Sequence, residues 1–219
     1  MRTGIFGGTF NPIHLAHLRI AEEVREACAL QRILFLPAAL PPHKEVADGT
    51  PFRHRLAMVE AAVADHPDFV ASDFEAHRSG TSYSVDTLLA LHKLYPDDEF
   101  YFIIGLDSFL EITSWKDYPR LFELANVVVC HRPDYGTDDP RKRLPVALAR
   151  QFCYDDDSVN LRHKYGKRLI FVAETKLAIS STVIRGQVRE GRSIRYLVPA
   201  AVEAYIQKHH LYIEKEDNA

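Results

Sequence analysis

The run Gly7-Gly8-Thr9-Phe10-Asn11-Pro12-Ile13-His14-Leu15-Ala16-His17 restricts this chain more than any other stretch. Before it stands Thr3-Gly4-Ile5-Phe6, short and apolar, as a buried strand would be. After it Leu18, Ala21, Val24 and Cys28 recur at steps of three and four, which predicts an amphipathic helix. The segment therefore reads strand, tight loop, helix. Gly7 and Gly8 permit backbone angles and close approaches that a Cβ would forbid. Pro12 fixes φ near the expected helix start and lacks an N–H that a first turn leaves unpaired anyway. A helix N-terminus presents free N–H groups and a partial positive charge, which suits phosphate. His14 and His17 are three apart and so share one face of that first turn. Two imidazoles beside a phosphate site point to phosphoryl chemistry. The plainer alternative is a glycine turn feeding a helix with two surface histidines, and Gly7-Gly8 alone would not exclude it.

Net charge bears on where phosphate can bind. The 219 residues carry a formal charge of −3, which gives no overall attraction to nucleic acid or an anionic membrane. Any phosphate site must then be local. A hydrophobic content of 47% with 26% charged residues fits a soluble globular protein, and the length suits a single domain over 1–219. Cys28, Cys130 and Cys153 form no CxxC pair, so reduced thiols in a cytoplasmic protein fit better than a disulfide or metal framework. The opening residues do not read as a signal peptide, and no apolar run reaches membrane-spanning length.

Further along, Arg32 to Leu36, Phe69 to Phe74, Phe100 to Ile104, Val127 to Cys130 and Leu169 to Val172 read as strands. Helices are expected after Thr50-Pro51, with Leu56, Met58, Val59, Ala62 and Val63 inward, and from Val85, after Asp107-Ser108, after Pro119, from Ser180 and from Pro199. Asp107-Ser108 and Ser84 are candidate helix caps. Residues 134–167 carry alternating charge runs and read as a solvated surface insertion. Residues 180–219 read as a small helical part. Strands alternating with helices imply an α/β fold: a Rossmann-like, doubly wound, mainly parallel sheet with helices on both faces. Ligands on such sheets sit beyond the strand carboxyl ends, at a switch in strand order. The glycine loop, Lys44, Asp107 and Arg132 each follow an expected strand and should gather at that edge. The Ser180 loop should join them.

Ser180-Ser181-Thr182-Val183-Ile184-Arg185 is the second informative motif. Hydroxyls and N–H groups at a helix start can bind phosphate oxygens, and Arg185, one turn on, can bond two of them. By itself the stretch reads equally well as an ordinary cap with a surface arginine.

Together the two motifs resemble the HxGH nucleotidyltransferases, whose signatures read G-G-[ST]-F-[DN]-P-x-H-x-G-H and [IV]-S-S-T-x-[IV]-R. This chain has Ala16 where that family usually has glycine, and Asn11 where aspartate is more usual. Pro41-Pro42-His43-Lys44, Ser82-Tyr83-Ser84-x-Asp86-Thr87-Leu88, Gly105-x-Asp107, Trp115-Lys116 and Arg132-Pro133 are similar to segments of one subfamily, the nicotinate mononucleotide adenylyltransferases. The resemblance implies adenylyl transfer from ATP to nicotinate mononucleotide, giving deamido-NAD and pyrophosphate. It implies ATP contacts from Gly7, Gly8, Thr9, Phe10, His14, His17, Gly105, Asp107, Ser180, Ser181 and Arg185. It implies mononucleotide contacts from Lys44, Ser82, Tyr83, Ser84, Trp115 and Arg132, with Trp115 stacking on the pyridine ring. Catalytic roles fall to His14, His17, Lys44 and Arg185. Mg²⁺ is expected to travel with ATP, since no carboxylate cluster is evident. The alternative reading of His14, His17 and His43 as zinc ligands is disfavoured, since no carboxylate or further histidine stands at helical spacing from the first pair.

Four other readings remain open at this point. A sister transferase acting on another phosphate acceptor, such as phosphopantetheine, belongs to the same class. Nicotinamide mononucleotide could replace the acid. A catalytically silent nucleotide-binding regulator would keep the fold. A nucleic-acid module using residues 141–143 and 162–168 is disfavoured by the net acidity. No membrane partner is expected, and the sequence is compatible with a monomer or a homo-oligomer.

Overall fold

The computed structural model describes residues 1–40, 49–78, 80–131, 144, 146–154 and 160–213. His43, Lys44 and Arg132 lie outside these residues. In chain order the elements begin with β1 (Arg2–Gly8), α1 (Leu15–Ala27), β2 (Arg32–Pro37), α2 (Phe52–Val63) and β3 (Phe69–Ala71). Next come α3 (Ser84–Leu94), β4 (Glu99–Gly105), α4 (Leu106–Leu110), α5 (Tyr118–Leu124) and β5 (Asn126–His131). Then follow α6 (Val146–Ala149), β6 (Phe152–Tyr154), β7 (Leu161–His163), β8 (Arg168–Ala173), α7 (Ser181–Arg189) and α8 (Ala200–Lys208).

The strands form one sheet in the order β3-β2-β1-β4-β5-β8-β7-β6. The neighbours from β3 through β8 pair in parallel, and β7 and β6 add an antiparallel edge. This is the doubly wound architecture expected. Alternation along the strands feeds two separate cores. Phe6, Tyr101, Ile103, Val128 and Cys130 pack on one face with Ala21 and Val24 of α1, Met58 and Val59 of α2, and Val202 and Ile206 of α8. Ile5, Phe102, Ile104, Val127 and Val129 face the other way, onto Leu88 and Leu91 of α3, Phe109 of α4 and Leu121 and Phe122 of α5. Each fully buried Val, Leu, Ile, Phe or Met among them contributes roughly 1.5–3 kcal/mol relative to exposure. From β1 the chain winds outward to β2 and β3, then returns to β1's other side as β4. The switch in strand order thus lies between β1 and β4, whose carboxyl ends are Gly8 and Gly105.

Several sequence expectations need correction. Pro12 is not at the first helical position: it sits in a turn after a cis Asn11–Pro12 bond, and His14 is the residue that precedes α1. β3 ends at Ala71, and Phe74 opens a 3-10 turn, Phe74–His77. The residues preceding α3 and α4 are Tyr83 and Gly105, so Ser84 and Asp107 lie inside their first turns and do not cap them. In α2 Met58, Val59, Ala62 and Val63 are buried as expected, but the further buried position is Arg55, and Leu56 is half-buried. Within 134–167, α6, β6 and β7 extend the fold, and Leu148, Phe152 and Leu161 are buried in its second core. The solvated-insertion reading fails for these residues, because charged neighbours masked short apolar stretches.

Candidate active site

The loop after β1 turns at Phe10, whose φ of 48° places it in the left-handed region that side chains rarely adopt. Neither Gly7 nor Gly8 has a positive φ, so the strain expected of the glycines is carried by Phe10. Gly8 is needed for space, since a Cβ there would come within 3.0 Å of the Phe10 ring. A Cβ at Gly7 would meet nothing. Phe10 itself is buried against Phe6, Phe35 and His17. Its ring is a packing group, so the ATP contact expected of Phe10 falls to its backbone and not to its side chain.

His14 and His17 meet as expected, with stacked rings whose centroids are 3.7 Å apart. His14 is 5% exposed. Burial pushes its pKa down to about 4. His17 is also held well below the usual histidine range, first by burial and then by the neighbouring His14. Both rings are therefore neutral at pH 7. The backbone N–H of His14 donates to His17 Nδ1 at 3.2 Å. A neutral ring that accepts at Nδ1 carries its proton on Nε2, so His17 is fixed as an Nε2–H donor. Nδ1 of His14 is buried without a hydrogen-bond partner among the described residues. A buried polar atom of that kind is costly in a folded chain unless a water or a ligand meets it.

The two signature motifs touch. Ser181 Oγ donates to the Pro12 carbonyl at 2.9 Å, and Arg185 Nη1 donates to the Asn11 carbonyl at 2.8 Å. Ser180 is the cap of α7, its Oγ accepting from the Val183 N–H at 3.3 Å. Thus the ordinary capping role is present, and Arg185, buried, spends one arm of its guanidinium on the histidine-bearing loop. The far end of the chain reinforces this loop. Leu15 N–H donates to the Leu197 carbonyl at 3.0 Å, and Tyr212 OH donates to Asn11 Oδ1 at 2.7 Å. Asn11 in place of the usual aspartate is therefore a neutral acceptor for a phenol.

A cavity of about 280 Å³ opens at the switch point, between the ends of β1 and β4. Two groups of residues line its walls, Gly7, Gly8 and Thr9 and then Ser82, Tyr83, Ser84 and Trp115, together with Gly105 and Ser108. Trp115 leans edge-on against Phe102, at 6.3 Å between centroids. Lys116 lies over the Tyr83 ring at 4.6 Å and pairs with Asp86 at 2.8 Å, which stiffens that wall. Asp107 is exposed in the first turn of α4, between the cavity residues Gly105 and Ser108. The structure thus brings Gly7, Gly8, Thr9, Ser82, Tyr83, Ser84, Gly105 and Trp115 around one cavity. His14, His17, Ser181 and Arg185 form an adjoining cluster through the Asn11–Pro12 turn. Glu75, buried in the cavity wall, escaped the sequence reading. It follows a strand as Asp107 does, and that position was the available signal.

Comparison with known proteins agrees with this geometry. Residues 5–187 match the cytidylyltransferase-like family, a class of nucleotidyl-transferring proteins. A probable nicotinate-nucleotide adenylyltransferase of Syntrophotalea carbinolica is 60% identical over 99% of both chains. One from Geobacter sulfurreducens is 55% identical over 97% of this chain and 98% of its own. The chain belongs to the nicotinate-nucleotide adenylyltransferase family. A solved structure of Plasmodium falciparum nicotinic acid mononucleotide adenylyltransferase complexed with NaAD superposes with a TM-score of 0.73 at 22% identity, covering 96% of this chain and 97% of that one. At that identity the likeness concerns the fold. Among the described residues no helix is long and apolar enough to cross a membrane.

Proposed function

We propose that the chain transfers the adenylyl group of ATP to the 5′-phosphate of nicotinate mononucleotide. A phosphate oxygen attacks the α-phosphorus, the bond from that phosphorus to the bridging oxygen breaks, and pyrophosphate leaves. The attacking phosphate is already an anion at neutral pH, so no strong general base is required. Catalysis then rests on positioning and on donors aimed at developing charge. The observation that carries the reading is the contact between the two remote motifs: Ser181 and Arg185 hold the very turn that leads into His14 and His17, and the His17 ring packs on Phe6, a cavity-lining residue, at 6.1 Å between centroids.

In this scheme Gly7, Gly8 and Thr9 face the triphosphate, and His17 Nε2–H donates to a bridging or leaving oxygen. The unpaired His14 Nδ1 awaits a second polar contact. Arg185 and Ser180-Ser181 complete the phosphate side, with Arg185 acting also through its grip on Asn11. Asp107 suits the adenosine ribose. Ser82, Tyr83, Ser84 and Trp115 enclose the mononucleotide, whose cationic pyridine ring is attracted to an indole face. Lys44 and Arg132 enter by resemblance, as cations for phosphate. Mg²⁺ would supply charge neutralisation with ATP. No three His, Cys, Asp or Glu side chains converge among the described residues, so the ion would be held by phosphate and water.

The test is pyrophosphate release measured with ATP and a panel of acceptors: nicotinate mononucleotide, nicotinamide mononucleotide and phosphopantetheine. Turnover with the nicotinate acceptor at the highest kcat/KM is expected. Preference for another acceptor, or ATP binding without release, would refute the assignment.

A further inference from the structure

Arg55 is 1% exposed, a guanidinium wholly inside the protein. It stands in the first turn of α2, where the helix's partial positive charge opposes a cation. Among the described residues it forms no ion pair within 4.0 Å. Buried charges of this kind are costly and are retained where their geometry is used. The geometry here is a fork onto two backbone carbonyls. Nη1 donates to the Thr9 carbonyl at 2.9 Å, and Nη2 donates to the Ala39 carbonyl at 3.5 Å.

Those two carbonyls follow neighbouring strands, since β1 and β2 pair side by side up to Gly8 and Pro37. Thr9 continues the glycine wall, and Ala39 follows the cavity residue Ala38, whose N–H donates to the Gly8 carbonyl at 2.9 Å. The N–H of Ala39 in turn donates to Glu75 Oε2 at 3.4 Å, so this peptide is gripped on both sides. Glu75 accepts a further bond from Thr87 Oγ1 at 2.8 Å. Next to it, Leu40 N–H donates to Ser82 Oγ at 3.2 Å and Ser82 N–H donates back to the Leu40 carbonyl at 2.9 Å. A continuous path of hydrogen bonds therefore joins the glycine loop to the Ser82–Ser84 wall, and Arg55 is its hinge-pin.

We propose that Arg55 is a positioning residue for adenylyl transfer: its planar fork locks the glycine loop against residues 38–40 and so sets the spacing between the two substrate walls. The inference rests on the reaction proposed above. Lysine would keep the charge but cannot present two diverging N–H groups in one plane. Small misplacements of reacting groups cost up to about 100-fold in rate.

Wild-type, R55K and R55Q are compared for kcat, for KM of each substrate and for Tm. Both variants are expected to lose about 10- to 100-fold in kcat, with each KM held within about threefold. Wild-type kcat in R55K would show that charge alone matters and overturn the proposal. So would a loss no larger than the unfolded fraction at assay temperature. If neither variant folds, E75L removes the carboxylate that accepts from the Ala39 N–H at similar size. In the folded fraction it is expected to lower kcat by about three- to tenfold, on the same spacing argument. An unchanged kcat in E75L would overturn the proposal. Absence of turnover in the wild type would instead refute adenylyl transfer itself, and with it the role assigned here.

Discussion

The end of the cleft proposed for phosphate and the end proposed for the pyridine ring are held in different ways. At the phosphate end, the Asn11–Pro12 turn is bonded by Ser181, Arg185 and Tyr212, and Leu197 holds the next residue but two, Leu15. All four come from the last part of the chain. Two neutral imidazoles stack there, one with its tautomer fixed and the other with a buried nitrogen unpaired. At the ring end, Trp115, Tyr83 and Phe102 supply apolar faces, and the polar contacts, Lys116 with Asp86 and Leu40 with Ser82, come from the middle of the chain. The first end is stiff, polar and pre-aimed, which is what stabilising a charge that develops only in the transition state requires. The second offers area and a flat surface, which suits recognition of a ring that does not react.

That contrast predicts a split in kinetic effects. His17→Ala removes an aimed donor and should lower kcat by about 10²–10³-fold while ATP binding changes little. Turnover near wild type would erase the distinction between the two ends. Trp115→Ala should chiefly raise KM for the mononucleotide, by about 3- to 30-fold, as expected for loss of one cation–π stack. An effect confined to ATP would place the ring elsewhere.

A pH experiment sharpens the electrostatic half. His14 titrates near 4 in the folded protein against an ordinary 6.5, so the unfolded chain binds more protons between those values. Its contribution therefore makes the unliganded protein less stable as pH falls from about 6.5 towards 4. His14→Asn should flatten that part of the stability-against-pH curve, measured by denaturant midpoint. Superimposable curves for the two proteins would refute the burial argument. The smallest effect belongs to Ala16→Gly. Ala16 is buried within α1, so the change should leave kcat within about twofold and cost roughly 1 kcal/mol of stability from helix propensity. A collapse of activity would mean the methyl group takes part in holding the nucleotide.

The fold was legible because strand and helix periods alternate cleanly from β1 to β5, and each strand carries an apolar face for each core. The two histidines and the serine turn were legible because their residue types and spacings are unusual together. Other features left weaker traces. Arg55 occupies an inward position of α2, but a hydrophobic pattern cannot register a charged residue whose partners are carbonyls, so the expected face slipped to Leu56. Phe10 falls inside a motif associated with ATP, yet its ring fills space under the loop. The edge strands β6 and β7 are too short to stand out between charge runs. Glu75 and Thr87 acquire meaning only when the chain folds Ala39 against them.

Tyr212 reaching back to Asn11 has a consequence for how the protein matures. While the polypeptide is being made, the central strands can pair and bury their faces well before the last helices exist. The turn bearing the imidazoles has to wait, since its ties come from residues synthesised at the end. A growing chain would thus hold a largely formed sheet with an unfinished histidine-bearing loop until residues 181–212 have been added.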